Sequence, residues 1–287
     1  MGRKNFSFDK FLSLLPELKL CERLNPRFHR GLFSSVTPLL TTKSQSFSSC
    51  LDVPVVNLAG EMFRESLPTK TARLKKIIAG LEKTHPNAHC ELVHETPLEL
   101  LVATILSAQC TDKRVNLVTE KLFKKYRTPE NFANAEISEV ENDIRSTGFY
   151  KNKARNLKAA CRDIAEKYGG KVPQTMGELI ELGGVGRKTA NVVLGNAFGI
   201  NVGVVVDTHV ARLSFRLGLT PQKSPEKIEK DLMELVPQKK WTLFSHLLIW
   251  HGRRRCFARK PDCAHCEVLK LCPRIGVKET LATDGHR

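Results

Sequence analysis

Apolar residues recur at helical spacing over most of the chain from Thr71 onward, and this spacing predicts a succession of short helices. The first stripe ends before Pro86 and consists of Leu74, Ile77, Ile78 and Leu81. Further helices are predicted after Pro97 and over 112–125, 129–135, 138–144, 152–168, 187–197, 224–236 and 239–250, and a helix is expected to end at 178–182. Only the short apolar run at 202–206 favours a strand. The pattern therefore predicts an all-α chain with short loops.

The first 68 residues lack this periodicity and differ from the rest in composition. Residues 1–50 contain eight Lys or Arg but three Asp or Glu, and a Ser/Thr-rich patch covers 34–49. We therefore expect residues 1–68 to form a largely disordered extension. The segment lacks the cleavage site of a secretory signal. Its basic, serine-rich composition also fits an organellar transit peptide, which we rank below a cytoplasmic location at a bacterial nucleoid.

Charge and cysteine content narrow the class of protein. The 287 residues include 46 Lys or Arg and 30 Asp or Glu, a formal net charge of +16, which favours a polyanionic partner such as nucleic acid. No apolar run approaches the roughly 18 residues that a membrane-spanning helix needs, so we expect no membrane association. The nine cysteines are an odd number, and four of them crowd the C-terminal region. This favours a metal site in a reducing compartment over a disulfide framework.

A glycine-rich turn, Gly183-Gly184-Val185-Gly186, separates two predicted helices. Glycine tolerates positive φ and leaves the backbone amides uncovered, and the N-terminus of the second helix adds a positive dipole end. We therefore predict an anion site formed by Gly184, Gly186 and Arg187. The sequence disfavours a nucleotide P-loop, which requires Gly-Lys-Ser/Thr after a strand. Here Gly-Arg-Lys-Thr follows a helix.

Lys188 and Asp207 are the candidates for chemistry. Lys188 stands in the first turn of the second helix, where the positive field favours the uncharged amine, which is a nucleophile. Asp207 ends the apolar run at 204–206 and opens the next helix, so we expect its carboxylate to line a cleft. From local sequence alone two alternatives stay open: Lys188 only contacts a phosphate, and Asp207 only caps a helix.

Four cysteines near the C-terminus follow the spacing C-x6-C-x2-C-x5-C. They are Cys256, Cys263, Cys266 and Cys272. Four thiolates within so short a segment can surround one small inorganic centre, and zinc is the usual one for closely spaced cysteines. The spacing alone does not decide between zinc and an iron–sulfur cluster. Cations at 253–255, Arg259 and Lys260 surround the first ligand and predict a phosphate-contact surface.

The sequence GVGRKTANVVL followed by VDTH, together with the cysteine spacing, resembles the endonuclease III family of helix-hairpin-helix DNA glycosylases. The resemblance extends from about Thr71 to Gly276. It implies two helical lobes with a cleft between them: a six-helix barrel over 90–201, and an iron–sulfur lobe formed by 71–89 and 202–276, followed by a tail at 277–287. It also implies that the four cysteines bind a [4Fe-4S] cluster. One departure is Gly183, which stands where the family usually has proline.

The resemblance further implies a function in base excision DNA repair. The expected activity is removal of oxidised pyrimidines and cleavage of the resulting abasic site by β-elimination, with Lys188 as nucleophile and Asp207 assisting. The expected partner is double-stranded DNA carrying damaged bases or abasic sites, bound by a monomer. In the LSAQ-TD loop, Gln109 would fill the space left by an extruded base, and Ser107 and Asp112 would line the base pocket.

Phe149, in a second loop, would wedge the opposite strand according to the same resemblance. The residues alone favour a purely structural interpretation of the two loops, in which Thr111 caps a helix and Phe149 belongs to the core.

Two other functions compete with this interpretation. An adenine-mismatch glycosylase shares the hairpin, the aspartate and the cysteine spacing, but it lacks the catalytic lysine and usually carries a further C-terminal domain. Lys188 and the fifteen residues after Cys272 disfavour it. A non-enzymatic iron–sulfur or zinc DNA-binding protein is disfavoured because the chain keeps both Lys188 and Asp207.

Overall fold

This computed structural model describes residues 65–277 and two short strands, β1 (Val55–Val56) and β2 (Met62–Phe63). The two strands pair antiparallel, with Val55 opposite Phe63. Most of the predicted N-terminal extension, and the tail after Val277, lie outside the described residues. The predicted disorder of residues 1–68 and the predicted domain boundaries therefore stay predictions.

The described chain is helical, which confirms the all-α prediction. Its helices are α1 (Leu67–Thr84), α2 (Pro97–Leu106), α3 (Asp112–Lys125), α4 (Pro129–Asn134), α5 (Ile137–Ile144), α6 (Tyr150–Lys167), α7 (Met176–Glu181), α8 (Arg187–Ala197), α9 (Thr208–Arg216), α10 (Pro225–Leu235) and α11 (Trp241–Arg254). Short 3₁₀ turns lie at Arg145–Thr147, Gln238–Lys240 and Leu269–Leu271. No helix among the described residues has the length and apolarity to span a membrane.

Capping residues explain why the loops between these helices can be short. A serine or threonine oxygen accepts a hydrogen bond from the backbone N–H three residues later at five helix starts: Ser66, Thr96, Thr111, Thr128 and Thr175. Proline stands in the first turn of α1, α2, α4 and α10, where its missing N–H would have no partner in any case. These helices therefore begin on a local signal.

Helices α2 to α8 enclose the first of two hydrophobic cores. Helix α2 forms its centre, since Leu98 and every residue from Leu100 to Leu106 are buried. Helix α6 contributes one apolar face, which includes Leu157, Ala160 and Ile164, and packs against α4 and α5. Helix α8 packs on α2 through buried apolar side chains. Lys188, at the start of α8, therefore stands on a rigid part of the lobe.

Helices α1, α9, α10 and α11 enclose the second core. Leu74 of α1, Leu232 of α10 and Phe244 of α11 are among its buried members. The cysteine-bearing segment after α11 joins the same core through Val268. A Cβ placed on Gly80 of α1 would lie 3.2 Å from Val268 Cγ1, so the small residue allows this close packing. The description of the chain as two helical lobes agrees with these two cores.

Three details differ from the sequence-based expectation. Helix α1 begins at Leu67, four residues before Thr71, because Ser66 caps it and Pro68 fits its first turn. The predicted strand at 202–206 is wrong, since the segment pairs with no strand among the described residues. The segment is instead an extended linker between the two cores, in which half-buried Val202 packs against the first core and buried Val204 and Val206 belong to the second. The Val205 N–H donates to Ser245 Oγ at 3.0 Å. Helix α11 continues to Arg254, four residues past the predicted end.

Candidate active site and cysteine cluster

The glycine turn between α7 and α8 leaves backbone N–H groups open. The Val185 side chain is buried in the first core, and its N–H donates to Leu182 O at 3.1 Å, which fixes the turn. Gly184 has φ +75°, and a Cβ there would lie 2.8 Å from the Asn156 side chain, so only glycine fits. Gly186 is the N-cap of α8 and brings no capping side chain. The first amides of α8 therefore have no side-chain cap and suit an anion.

Gly183, the departure from the family pattern, lies close against α6. A Cβ at this position would lie 3.0 Å from the Asn156 carbonyl oxygen and 3.0 Å from Ala159 Cβ. The absence of a side chain therefore lets the turn approach α6 closely. The contact involves no amide of Gly184 or Gly186, so it leaves the predicted anion site intact.

Lys188 is the second residue of α8, and its side chain is exposed. Within the described chain its amine makes no hydrogen bond and no ion pair. The preceding Arg187 is held differently: its Nε and Nη2 donate to the two carboxylate oxygens of Glu229 at 2.8 and 3.1 Å. Glu229 is buried, and its carboxylate compensates the charge of Arg187. The amine of Lys188 has no such partner among the described residues and can react with a ligand.

Asp207 is the N-cap of α9, and its Oδ1 accepts a hydrogen bond from the Val210 N–H at 2.7 Å. Asp207 therefore does cap a helix, as the alternative interpretation predicted, but the cap uses only one of its two carboxylate oxygens. The residue is half-buried, and Oδ2 accepts no hydrogen bond from the described residues. Burial lowers the pKa of the neighbouring His209, an effect that the Asp207 charge opposes. One oxygen of Asp207 can therefore serve another purpose.

A close contact brings the linker before Asp207 against α8. Asn191, one turn after Lys188, donates from Nδ2 to Glu229 Oε1 at 2.9 Å. Gly203 lies against the same pair, where a Cβ would be 2.7 Å from Asn191 Nδ2 and would overlap the Glu229 carboxylate. Asp207 follows four residues later. Lys188 and Asp207 thus flank one contact between the lobes, without an ion pair between them in the described structure.

The two predicted insertion loops share an unusual backbone. Gln109, between α2 and α3, has φ +54°, and Phe149, at the start of α6, has φ +49°. Residues other than glycine rarely adopt this left-handed conformation, and its cost is typically tolerated at functional sites. Both side chains point outward, and that of Phe149 is 62% exposed. The alternative that places Phe149 in the core is therefore wrong.

Ser107 and Asp112, the predicted base-pocket residues, flank the Gln109 loop. Ser107 is half-buried, and its Oγ donates to Thr104 O at 2.8 Å. Thr111 caps α3, as predicted, and Asp112 follows in the first turn. The Asp112 Oδ2 accepts from Arg253 Nη2 at 2.8 Å, which joins α3 to α11 of the other lobe. Asp112 is thus held at the junction of the two lobes.

The four C-terminal cysteines line one cavity, and each is a free thiol. Donors point at two of the sulfurs: Arg216 Nη1 lies 3.2 Å from Cys256 Sγ, and the Arg274 N–H donates to Cys272 Sγ at 3.4 Å. A third sulfur, Cys266 Sγ, lies 3.4 Å from His251 Nε2. Such donors suit thiolates.

Burial alone would keep three of the four thiols, those of Cys263, Cys266 and Cys272, protonated. It raises the pKa of Cys263 and of Cys266, and it raises the pKa of Cys272 to about 11. A cationic centre reverses this effect, because a coordinated thiol is deprotonated outright. Four half-buried thiols that line one cavity, with hydrogen-bonding groups beside three of the sulfurs, therefore fit a metal centre.

The cations near the cluster divide into two groups. Arg253, Arg254 and Arg255 form ion pairs with acidic side chains, among them Glu91 and Asp262. Arg259 and Lys260 are exposed, and they form no ion pair with a described residue. Lys260 also has a positive φ of 50°. The predicted phosphate-contact surface is therefore best supported at Arg259 and Lys260.

Two polar residues that hold the site together were not predicted from the sequence. Glu229 binds Arg187 and Asn191 from a distant helix, and nothing in the local pattern of α10 marks it. Lys153 is buried in α6 and contacts both insertion loops. Its burial could have been predicted from the sequence, because Lys153 lies on the same helix face as the apolar residues Leu157, Ala160 and Ile164.

Known proteins resemble this chain over most of its described part. A family profile described as HhH-GPD superfamily base excision DNA repair protein matches residues 102–238. Endonuclease III of Synechocystis sp. (strain ATCC 27184 / PCC 6803 / Kazusa) is 54% identical over 207 residues, which cover 72% of this chain and 94% of that protein. That of Bacillus subtilis (strain 168) is 49% identical over 203 residues, 69% of this chain and 92% of that protein.

Solved structures agree with the sequence comparison. One is a non-covalent endonuclease III–DNA complex, with 47% identity, a TM-score of 0.68, and coverage of 70% of this chain and 94% of that one. Another is a trapped endonuclease III–DNA covalent intermediate in an estranged-adenine complex, with the same identity and TM-score and coverage of 70% and 95%.

Proposed function

The chain belongs to the endonuclease III family of base excision DNA repair proteins, and from this premise we propose which of its residues carry out the reaction and on which substrate. The protein is a DNA glycosylase and abasic-site lyase, and its partner is DNA. We propose that it removes oxidised pyrimidines from duplex DNA as a monomer, with Lys188 as nucleophile and Asp207 as its partner. The observation that carries this proposal is the exposed, unpaired amine of Lys188 beside an uncapped glycine turn.

The first chemical step replaces the bond between C1′ and the damaged base with a bond between C1′ and Lys188 Nζ. The glycine turn binds a phosphate next to the lesion, which brings the sugar of the extruded nucleotide to the start of α8. The uncharged Lys188 Nζ attacks C1′, and the bond between C1′ and the base breaks. The base leaves with the electron pair and is then protonated. The nitrogen loses a proton, and its lone pair forms the C1′=N bond of a protonated Schiff base while the bond between C1′ and the ring oxygen breaks. The ring oxygen takes that electron pair and a proton, and becomes a hydroxyl group.

The second chemical step cleaves the strand. The protonated Schiff base withdraws electrons and makes the C2′ proton acidic, so a base removes it. The electron pair forms a double bond between C2′ and C3′, and the bond from C3′ to its phosphate oxygen breaks. The phosphate leaves with that electron pair. Water then hydrolyses the imine, which releases an unsaturated aldehyde and restores the Lys188 amine.

Asp207 can assist the first step in two ways. Its Oδ2 could accept the proton that Lys188 loses, or its charge could stabilise the positive charge that develops on the sugar. The cap that Oδ1 forms with α9 fixes the carboxylate in either role. Its half-buried position strengthens its field relative to that of a fully solvated carboxylate.

Extrusion of the damaged nucleotide would depend on the two strained loops. Gln109 would occupy the space that the lesion leaves, and Phe149 would press on the opposite strand, where an aromatic ring can stack on a base. Ser107 and Asp112 would then face the extruded base. Arg259 and Lys260 would contact phosphates farther along the duplex.

The four cysteines would hold a [4Fe-4S] cluster, and the geometry supports a centre larger than one ion. In a tetrahedral zinc site the sulfurs lie about 3.8 Å apart, from a Zn–S bond of about 2.3 Å. Among the described residues, the three ligand atoms within 4.8 Å of one another belong to His251, Cys266 and Glu267, and not to three of the cysteines. The cluster would staple the segment 256–272 to the second core, and it would take no part in the chemistry at Lys188.

Borohydride trapping on matched duplexes tests this function. With wild-type protein, we expect base release and a covalent protein–DNA product on a duplex containing thymine glycol, and none on the undamaged duplex. An abasic duplex should also be cleaved and trapped. Base release from an adenine mispair with no trapped product would support the adenine-mismatch alternative. Binding to all duplexes without any cleavage would support a non-catalytic DNA-binding protein.

A further inference from the structure

One buried cation lies outside the reaction described above. Lys153, in the first turn of α6, is 5% exposed, on the apolar face that also carries Ala154 and Leu157. Its Nζ donates to the carbonyl oxygens of Leu106 and Thr147, both at 2.8 Å. Burying an ammonium costs free energy unless hydrogen-bond acceptors surround it, so these two carbonyls offset the cost of burying the Lys153 charge.

The two carbonyls are at the bases of the two insertion loops. Leu106 is the last residue of α2, and Gln109 follows three residues later. Thr147 ends the 3₁₀ turn, and Phe149 follows two residues later. The Lys153 N–H also donates to Phe149 O at 3.1 Å. One side chain thus connects two loops that are about forty residues apart in sequence.

Both loops need support from outside themselves. Gln109 and Phe149 hold left-handed backbone conformations, which persist only where the surroundings over-determine them. Within the Gln109 loop, the Cys110 N–H donates to Ser107 O at 3.0 Å. Within the Phe149 loop, the Gly148 N–H donates to Arg145 O at 3.3 Å. These local bonds shape each loop separately, whereas the Lys153 ammonium sets the distance between the two.

We propose that Lys153 is a positioning residue that holds the two insertion loops at a fixed separation, so that Gln109 and Phe149 enter the duplex as one unit. This inference rests on the proposed function, in which both side chains replace an extruded nucleotide. Lys153 touches no reacting atom in this scheme. It acts through the loops, on nucleotide extrusion.

A substrate that needs no extrusion separates this role from a general structural one. In a single-stranded abasic oligonucleotide the reacting sugar is already outside a stack. Lys153→Met keeps an unbranched side chain but removes both donors. It should slow single-turnover base excision from duplex DNA about 10- to 100-fold, the scale of a misplacement of about 1 Å. Cleavage of the single-stranded abasic site should change less than about threefold.

Lys158 provides a matched control on the same helix. Its Nζ also donates to backbone carbonyls, those of Phe132, Ala133 and Ala135, at the end of α4 and away from both loops. Lys158→Met therefore makes the same chemical change at a half-buried position of the same helix. Its duplex and single-stranded activities should fall together, if they fall at all. Thermal melts of both variants measure the cost to folding.

A double-mutant cycle tests whether Lys153 acts through the loops. In a background with Gln109→Ala and Phe149→Ala, Lys153→Met should add little further loss of duplex activity. The proposal is overturned if the loss adds in full. It is also overturned if Lys153→Met slows the duplex and single-stranded reactions equally, or behaves as Lys158→Met does. If Lys153→Met does not fold, Lys153→Gln, which keeps amide donors on a shorter side chain, serves in its place and should lose duplex activity selectively.

A readout of extrusion alone separates this inference from the proposed chemistry. The fluorescence of 2-aminopurine opposite the lesion rises when the base unstacks, whether or not the lesion is excised. Wild-type protein should produce this rise, and Lys153→Met should reduce its amplitude or rate while Lys158→Met does not. Normal unstacking with no excision by wild-type protein would reject the proposed function and leave the role of Lys153 standing. An equal fluorescence rise in wild type and Lys153→Met would reject that role.

Discussion

Charge compensation distinguishes Lys188 from the cations around it. The neighbouring Arg187 is bound by Glu229, and Arg253 is bound by Glu91 and Asp112. These partners convert the guanidinium groups into parts of the scaffold. Within the described chain the amine of Lys188 has no such partner, although it stands on a well-packed helix. A free amine on a fixed backbone is what a nucleophile requires.

The role of Asp207 can be separated from that of Lys188 by one substitution. Asp207→Asn keeps the side chain's size and the cap on α9 but removes the charge. A charge that assists departure of the base should matter most for base excision, so we expect that step to slow by about 10²-fold or more. At a preformed abasic site the base is already gone, and strand cleavage should suffer less.

Single-turnover kinetics on both substrates with the same variant measure this difference. Thr208→Ala, at the exposed first position of α9, is the control and should leave both rates unchanged. Equal losses on the damaged duplex and the abasic duplex would mean that Asp207 works chiefly by activating Lys188.

At the scale of the element, the cysteine segment is a loop that, under the proposed function, would depend on a bound metal centre. Few regular hydrogen bonds order the segment 256–272, apart from short turns and the 3₁₀ turn at Leu269–Leu271. Coordination of four cysteines would supply the missing constraint, and Arg259 and Lys260 belong to the constrained segment. The proposed metal centre would therefore contribute to folding and to DNA binding.

We expect purified protein to be yellow-brown, with about four irons per chain, as a [4Fe-4S] centre requires. Cys256→Ser should lower the folding yield and weaken DNA binding more than it lowers the rate of the bound complex. Cys90→Ser alters a thiol outside the cluster and is the matched control. Metal analysis and binding titrations measure both effects. Stoichiometric zinc without iron, in protein prepared without oxygen, would contradict the cluster.

Local signals explain why much of the fold could be predicted from the sequence. The bounds of α3 and α8 agree with the prediction because caps, glycines and apolar spacing all act within a few residues. The strand at 202–206 was predicted wrongly because a β-branched run also fits a buried linker. Glu229 could not be assigned because its partners are tens of residues away. The apolar stripe of α6 indicates that Lys153 is buried, but not that it binds Leu106 in a distant loop. The convergence of the site depends on such long-range contacts.

At the scale of the whole molecule, two cores of helices flank one linker. The net charge of +16 attracts DNA without choosing a sequence, and the paired arginines limit where that charge is exposed. The candidate nucleophile is on the first core, and the candidate carboxylate opens α9 of the second. Under the proposed function, contacts between the lobes such as that of Asn191 with Glu229 would set the distance between the two candidate groups.

The N-terminal boundary of this folded unit can be tested by truncation. Ser66 caps α1, and the Glu65 carboxylate binds Arg73 Nη2 at 2.7 Å, with both side chains mostly buried. Removal of residues 1–64 should leave stability and glycosylase activity nearly unchanged. Removal of residues 1–68 takes away the cap and the carboxylate, so it should lower the free energy of unfolding by at least about 2 kcal/mol.

Chemical denaturation of both truncated proteins, with activity assays below the transition, measures this difference. Equal stability of the two proteins would show that α1 does not depend on residues 65–68. If the protein that lacks residues 1–64 loses much of its activity but keeps its stability, residues 1–64 contribute to the glycosylase reaction.

The central claim is that Lys188 forms a Schiff base with the damaged nucleotide. Borohydride trapping of wild type and Lys188→Gln on thymine-glycol and abasic duplexes tests it most directly. Lys227→Gln, which alters an exposed lysine in the first turn of α10, is the control. We predict a covalent product for wild type and Lys227→Gln, and none for Lys188→Gln, which should still bind damaged DNA. A trapped product in Lys188→Gln would place the nucleophile on another residue and contradict the account.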